Sequence, residues 1–382
     1  MKRWICLLLA ALLLLTPAMA LEQPTDEELK ISAPSAILME RSTGTVLYEK
    51  NADEHLSPAS VTKIMTLLLI MEQLNSGQLD TSDIVTASAH ASSMGGSQIF
   101  LSPGEQITVE DLLKGVCVSS GNDAAVALAE KTAGVTELFV EQMNNRAREL
   151  GMQDTHFVNC TGLPAEGHVT SAWDIAVMSR ELIVNHPDIR RFTTIWMDTL
   201  RDGQFQLSNT NKLIRFYEGA TGLKTGSTDS ARYCISATAE REGMELIAVV
   251  LKSPTGQQRF EDAKTLLNYG FSTYGLVHAA PEEPLPPVPV TLGTRDAVQP
   301  MVDPAEGLLL AEKARLQGLE QTVTLPESAA APVRQGDALG TLTVTQNGET
   351  LLEVPIRAAE TVEKLTFGEM FLRLARTMCF CG

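Results

Sequence analysis

The chain has 382 residues, of which 44% are hydrophobic and 20% are charged. This apolar content is enough for a buried core, so the sequence excludes a disordered protein and predicts two domains, or one large domain with an appendage. The 30 lysines and arginines are outnumbered by 47 aspartates and glutamates, which gives a net charge of −17. So acidic a surface repels phosphate backbones, and we expect no nucleic-acid partner.

Residues 1–20 have the pattern of an export signal. Lys2 and Arg3 precede an apolar run over residues 4–15, and residues 18–20 are Ala-Met-Ala, a pattern of small residues typical of a cleavage site. The run is shorter than the roughly 20 residues that span a bilayer. We therefore predict a signal peptide over residues 1–20 and an exported mature protein.

The cysteines and histidines argue against a disulfide framework and a metal site. Five cysteines follow the signal, an odd and sparse set: Cys117, Cys160, Cys234, Cys379 and Cys381. The sequence contains no C-x-x-C or H-E-x-x-H motif, and its six histidines have no ligand spacing. We expect no metal and no cofactor.

Residues 31–278 alternate apolar strands with helical runs, which predicts a mixed α and β domain. Ser57-Pro58 predicts a helix start, with Ser57 as the capping residue and Pro58 at the first helical position. This helix is apolar nearly all round, so we expect it to be buried. The other predicted elements, in chain order, are a hairpin (36–39 and 45–48), helices from Thr108 and over 123–132, a second hairpin (233–240 and 245–251) and a helix over 257–269 that ends at Gly270.

The amino-acid pattern changes in the C-terminal part of the sequence. Five prolines between residues 281 and 289 predict a semi-rigid linker over 279–289, because proline fits neither a helix interior nor a central strand. Short β-branched segments then predict a small all-β domain over 290–358. Residues 361–378 predict an amphipathic helix, with one apolar stripe formed by Phe367, Met370, Phe371, Leu374 and Met378.

The start of the buried helix contains Ser60-Val61-Thr62-Lys63. A spacing of three places the Ser60 hydroxyl and the Lys63 amine on one helix face. Burial and the positive end of the helix both disfavour the ammonium, so the pKa of Lys63 falls towards neutrality and the amine can take the serine proton. The pair predicts a nucleophile and a general base without histidine.

Two further motifs are ambiguous when taken singly. Ser120-Gly121-Asn122 lies between two predicted helices, where a tight loop can turn both polar side chains into a cleft. Lys224-Thr225-Gly226, followed by Ser227, lies on a predicted strand, where the lysine and threonine can hold a carboxylate and the glycine lets a substrate backbone approach. Alone, the first is an ordinary turn and the second a surface strand.

Together and in this order, the motifs resemble those of the penicillin-recognising serine enzymes. The chain is most similar to the low-molecular-mass penicillin-binding proteins that are D-alanyl-D-alanine carboxypeptidases, over essentially the whole mature chain. Residues 58–66 look like their active-site stretch, and Gly121 stands where β-lactamases usually carry aspartate. The resemblance implies an α+β fold, in which a penicillin-binding/β-lactamase-like transpeptidase domain has an antiparallel sheet with helices on both sides. A small all-β domain and a C-terminal amphipathic helix follow.

The resemblance also implies the roles of the reacting groups. Ser60 would be the acylated nucleophile and Lys63 its general base, while Ser120 and Lys224 would assist proton transfer to and from the substrate. The reaction would release the terminal D-alanine of a peptidoglycan stem peptide through an acyl-enzyme, and β-lactams would trap the same ester. No cofactor or metal is required.

The remaining site residues would bind the substrate. Asn122 would position its peptide, Gly226 would lie along its backbone, and the backbone amides of Ser227 and the nucleophile would form the oxyanion hole. Ser227 stands where some members have histidine. Arg259 would bind the terminal carboxylate beside Thr225; the alternative is a solvated arginine at the start of a helix.

Other functions remain open at this point. A class A β-lactamase would need a deacylating glutamate in an E-x-x-L-N loop, and residues 166–170 (Glu-Gly-His-Val-Thr) do not match it. A transpeptidase differs only in using an amine instead of water as acyl acceptor, and an inactive wall-binding protein could keep the fold. The resemblance further implies that the C-terminal helix contacts a membrane, at the outer face of the cytoplasmic membrane, although a helix packed on the β domain is the alternative.

Overall fold

The computed structural model describes residues 24–281, 283–304 and 306–380, so the predicted signal peptide and Cys381 lie outside the described residues. The helices are α1 (Asp26–Leu29), α2 (Lys63–Asn75), α3 (Ala89–Ser92), α4 (Val109–Ser119), α5 (Asn122–Ala133), α6 (Thr136–Glu149), α7 (Ala172–Asn185), α8 (Arg190–Thr193), α9 (Leu213–Phe216), α10 (Gly256–Thr273) and α11 (Phe367–Phe380). Short 3-10 turns occur at Ala59–Thr62, Pro187–Ile189 and Lys313–Leu316.

The strands are β1 (Ser35–Glu40), β2 (Val46–Lys50), β3 (Ile84–Thr86), β4 (Gln106–Thr108), β5 (Met197–Leu200), β6 (Phe205–Ser208), β7 (Ala220–Thr228), β8 (Arg232–Arg241), β9 (Met244–Ser253), β10 (Tyr274–His278), β11 (Val288–Thr291), β12 (Ala297–Val298), β13 (Pro300–Val302), β14 (Leu308–Glu312), β15 (Glu320–Thr324), β16 (Ala329–Ala330), β17 (Ala338–Gln346) and β18 (Glu349–Ala358). Both predicted hairpins of the first domain are confirmed, as β1–β2 and β8–β9.

A five-stranded antiparallel sheet organises the first domain, in the order β2-β1-β9-β8-β7. Strand β9 is buried along nearly its whole length because helices cover both faces of the sheet. Helix α10 packs on one face, and α2 and α7 pack on the other, each side with its own apolar core. Strand β7 forms one edge of the sheet, which leaves its outer side to face the 3-10 turn Ala59–Thr62.

Two predicted helix boundaries differ from the structure. The buried helix begins with the 3-10 turn Ala59–Thr62 before α2, and Pro58 occupies the N-cap position without a capping side chain. Helix α10 does not end at Gly270 but continues to Thr273. This glycine has a packing role, since a Cβ there would lie 2.5 Å from Leu246 Cδ1 on the sheet.

The C-terminal part is built from short strands. A four-stranded antiparallel sheet has the order β13-β18-β17-β15, and β11 joins β12 and β16 in a smaller sheet. Strand β10, which precedes the proline-rich segment, pairs with β14 and so connects the two regions. The predicted terminal helix begins at Phe367 and not at residue 361, because Val362 pairs with Val333 and Thr366 forms a capping box with Glu369.

Candidate active site

Two glycines clamp the turn that carries Ser60. Ala59 has a φ of +48°, which is unusual for a residue with a side chain. A Cβ at Gly162 would lie 1.8 Å from the Ala59 carbonyl oxygen, and a Cβ at Gly226 would lie 2.9 Å from the Ser60 backbone nitrogen. Only glycine allows the loop around residue 162 and strand β7 to approach the turn so closely.

The Lys63 amine contacts three oxygen atoms. Its Nζ donates to Thr161 O at 2.7 Å and to Asn122 Oδ1 at 2.5 Å, and it lies 3.1 Å from Ser60 Oγ. A neutral amine has two N–H bonds and one lone pair. If the carbonyl and the amide take the two hydrogens, the lone pair is directed at the Ser60 hydroxyl, which can then donate to it.

The surroundings of Lys63 favour this neutral form. The side chain is fully buried, and burial is the main cause that holds the pKa of Lys63 well below its usual value. The positive charge of Lys224 lowers the same pKa further. In the described part of the chain, neither amine forms an ion pair with a carboxylate.

Ser120 and Lys224 form a second hydroxyl–amine pair. Ser120 ends helix α4 in the left-handed conformation, with φ +62°, and this turn presents its side chain to β7. Lys224 Nζ donates to Ser120 Oγ and to Thr225 O, each at 2.8 Å. Burial of Lys224 lowers its pKa to about 7, so its charge state changes near neutral pH.

Both ends of the Asn122 amide are engaged by the protein. Its Oδ1 accepts from Lys63, and its Nδ2 donates to Gly95 O at 2.7 Å. The backbone N–H of Asn122 donates to Ser97 O at 2.7 Å, so this residue also fixes the loop that borders the cleft. The geometry therefore shows Asn122 as an orienting partner of Lys63, a contact that the sequence analysis did not predict.

The predicted substrate-binding residues lie along β7 and at its flank. Thr225 Oγ1 donates to Thr210 Oγ1 at 2.8 Å, and Ser227 is exposed on the same strand. Arg259 is 9% exposed, so it is not the solvated arginine of the alternative interpretation. Its Nη1 donates to Gly226 O at 3.1 Å and to Cys234 O at 3.2 Å, and its guanidinium lies over the Tyr233 ring.

The turn over residues 159–162, whose Thr161 carbonyl accepts from Lys63, was not predicted from the sequence. Asn159 Oδ1 accepts from Thr161 N, Thr161 Oγ1 and Gly162 N at 2.7–3.1 Å, and Thr66 Oγ1 donates to Cys160 O at 2.7 Å. An Asn three residues before a glycine is a signal for an Asx-type turn. That signal predicts a turn but not its partner, which lies 98 residues away in the chain.

Comparisons with known proteins cover both domains. The family described as D-alanyl-D-alanine carboxypeptidase matches residues 19–255, and the family described as Penicillin-binding protein 5, C-terminal domain, matches residues 287–364. The chain is 42% identical over 376 residues to D-alanyl-D-alanine carboxypeptidase DacF of Bacillus subtilis. The aligned region covers 96% of this chain and 96% of that protein.

Solved structures show the same fold. Penicillin binding protein 5 from Haemophilus influenzae has a TM-score of 0.74 at 27% identity, covering 90% of this chain and 100% of that chain. Penicillin-Binding Protein D2 from Listeria monocytogenes in the ampicillin-bound form has a TM-score of 0.57 at 33% identity, covering 65% of this chain and 100% of that chain. These matches confirm the expected fold class.

Replacing Gly162 with alanine tests the clamp on the turn that carries Ser60. We expect Gly162→Ala to lose penicillin labelling, because the new methyl group would displace the Ala59 carbonyl and the turn with it. Gly167→Ala is the matched control: Gly167 has a similar φ of +78° in the same loop, but the nearest atom to its Cβ is 4.0 Å away. The control should lose only about 1 kcal/mol of stability to backbone strain and keep its labelling. Equal labelling of both variants, measured with a fluorescent penicillin, would contradict the clamp.

Proposed function

Because the chain belongs to the D-alanyl-D-alanine carboxypeptidase family of serine peptidases, we propose that Ser60 is its nucleophile and Lys63 its general base. The enzyme removes the terminal D-alanine from peptidoglycan stem peptides through an acyl-enzyme and is inhibited by β-lactams. The observation that carries the assignment is the 3.1 Å contact between Lys63 Nζ and Ser60 Oγ in a buried site that depresses the lysine pKa.

Acylation begins with attack of Ser60 Oγ on the carbonyl carbon of the penultimate D-alanine. The hydroxyl proton passes to Lys63 Nζ, and the negative charge on the carbonyl oxygen is stabilised by the backbone N–H groups of Ser60 and Ser227. When the C–N bond breaks, the leaving amine takes a proton from Ser120, which Lys224 replaces across their 2.8 Å hydrogen bond. Water then attacks the ester and gives its proton through Ser120 to the neutral Lys224 amine, and the ester C–O bond breaks as Lys63 returns its extra proton to Ser60 Oγ, which restores all four side chains.

The substrate backbone lies beside β7 as an added strand. This strand is the edge of the sheet, and Gly226 lets it lie close to the Ser60 turn, where an extended peptide can be added beside the nucleophile. The terminal carboxylate lies near Thr225, where the guanidinium of Arg259 supplies positive charge from beneath the strand. Asn122 first orients Lys63 and then contacts the substrate peptide as it enters.

The family acts outside the cytoplasm, and we propose that α11 attaches the protein to the membrane surface. Among the described residues, no helix is long and apolar enough to cross a bilayer. Helix α11 instead exposes a row of large apolar side chains to solvent: Phe367, Phe371, Leu374 and Met378. Arg373 pairs with Asp296, which holds the helix on the β domain and leaves this row facing outward.

Mass spectrometry of the mature protein with benzylpenicillin tests the nucleophile. We expect a stable adduct on the peptide containing Ser60 and release of D-alanine from a D-Ala-D-Ala peptide. Ser60→Ala should form no adduct and lose activity by about 10³-fold or more, because the attacking oxygen is gone. Ser57→Ala, in the segment just before the turn, is the control and should react normally. An adduct on any other residue would contradict the assignment, and rapid turnover without an adduct would indicate a β-lactamase.

The two depressed lysine pKa values predict a bell-shaped pH dependence of acylation. The rate should rise as pH increases through the pKa of Lys63, because only the neutral amine can accept the Ser60 proton. It should fall above about pH 7, where Lys224 loses the proton that it supplies to Ser120. Lys224→Arg keeps a cation at all working pH values and should remove the fall. A rate that increases only near the usual lysine pKa of about 10.4 would contradict the account.

Vesicle binding tests the role of α11. The Phe371→Asp/Leu374→Asp variant should bind vesicles of phosphatidylglycerol and phosphatidylethanolamine at least about a hundredfold more weakly, because two apolar anchors are lost. Val323→Asp makes the same kind of change at an exposed apolar site on β15 and should bind like the unmodified protein. Co-sedimentation of the full mature chain measures both. Equal binding of all three proteins would contradict attachment through α11.

A further inference from the structure

A buried histidine outside the three sequence motifs is connected to the nucleophile turn. His168 is 3% exposed and Thr62 is fully buried. The backbone N–H of Val158 donates to His168 Nδ1 at 3.0 Å, and His168 Nε2 lies 2.8 Å from Thr62 Oγ1. The Thr62 hydroxyl in turn lies 2.8 Å from the Ala59 carbonyl oxygen. Nothing in the mechanism above uses this chain of contacts.

The direction of each hydrogen bond in this series, from Val158 through His168 and Thr62 to Ala59, follows from the first one. A backbone N–H can only donate, so His168 Nδ1 is an acceptor without a proton, and the ring hydrogen is on Nε2. That hydrogen is donated to Thr62 Oγ1, whose own hydrogen is then donated to Ala59 O. Burial, with a smaller effect of His156, lowers the pKa of His168 to about 4, so the ring stays neutral at physiological pH.

The last acceptor in this series, the Ala59 carbonyl oxygen, belongs to the peptide that joins Ala59 to Ser60. The Ala59 carbonyl and the Ser60 N–H belong to one planar trans peptide, so they point in opposite directions. Ala59 has a positive φ, which residues with a side chain rarely adopt. Local backbone preference therefore does not explain the observed orientation of this peptide plane. Among the described residues the Ser60 N–H donates no hydrogen bond, so hydrogen bonding holds this peptide plane from the Ala59 side.

We propose that His168, acting through the Thr62 hydroxyl, is a positioning residue that sets the Ala59–Ser60 peptide plane and thereby aims the Ser60 N–H at the carbonyl oxygen of the scissile bond. This rests on the proposed role of Ser60. Because the oxyanion develops only during attack, a misaligned N–H lowers the rate of acylation much more than it weakens initial substrate binding. His168 itself touches neither the substrate nor the reacting atoms.

Substitutions at Thr62 separate the hydroxyl from the shape of the side chain. Thr62→Val keeps the branched shape but leaves Ala59 O without its donor, and it should lower the acylation rate constant and kcat by about 10–100-fold. The dissociation constant of the initial penicillin complex and KM should change by less than about threefold. Thr62→Ser restores the hydroxyl, and we expect a rate within about threefold of that of the unmodified enzyme. Stopped-flow acylation and thermal unfolding are measured on the same preparations.

Substitutions at His168 give an independent comparison. The glutamine amide of His168→Gln reaches the position of Nε2 and can still donate to Thr62, whereas the asparagine of His168→Asn reaches only the position of Nδ1 and can accept from Val158. The glutamine variant should therefore acylate at least about tenfold faster than the asparagine variant, even where the two unfold at similar temperatures. This comparison also decides the matter if Thr62→Val does not fold.

Two results would overturn the proposal. One is acylation of Thr62→Val at the same rate as Thr62→Ser when both are folded. The other is equal acylation by the two His168 variants, with differences only in unfolding temperature, which is the result of a purely structural role. Failure of the proposed function is distinguishable, since the unmodified enzyme would then form no adduct at Ser60 in the same assay, and the positioning role would be rejected with it.

Discussion

The structure depends on the burial of two lysine amines in one cleft without a carboxylate partner for either in the described residues. Lys63 and Lys224 are almost completely inaccessible to solvent, and the charge of Lys224 disfavours the ammonium form of Lys63. Each amine instead contacts a serine hydroxyl and a backbone carbonyl. Desolvation thus favours a neutral amine, which in the proposed mechanism takes the place of the histidine base of other serine hydrolases.

The fold builds this cleft by bringing together segments that are far apart in the sequence. Helix α2 supplies Lys63, the end of α4 supplies Ser120, and the edge strand β7 supplies Lys224. The close approach of these elements needs residues without side chains, at Gly162 against Ala59 and at Gly226 against Ser60. The same two glycines therefore permit the packing on which the proposed site depends.

Much of this architecture could be predicted from the sequence. The apolar strands β8 and β9, the buried α2 and the motif residues around Ser60 each have a strong local pattern. The missed features depend on long-range contacts: the turn at Asn159 shows its purpose only against α2, and Gly270 has the local pattern of a helix end although it packs against the sheet. His168 belongs to the same class, since its partner Thr62 is 106 residues away. Strands of two or three residues, such as β12, carry too little pattern to be recognised.

Direct titration of the two lysines tests the central claim. With lysine labelled with ¹³C at Cε, the pH dependence of the side-chain chemical shifts gives each pKa, and the Lys63→Arg and Lys224→Arg variants assign the resonances. We expect Lys224 to titrate at about 7 and Lys63 to titrate well below 10.5. If both lysine side chains stayed in the ammonium form up to about pH 10, the proposed mechanism would be contradicted, because Lys63 could not then act as the base.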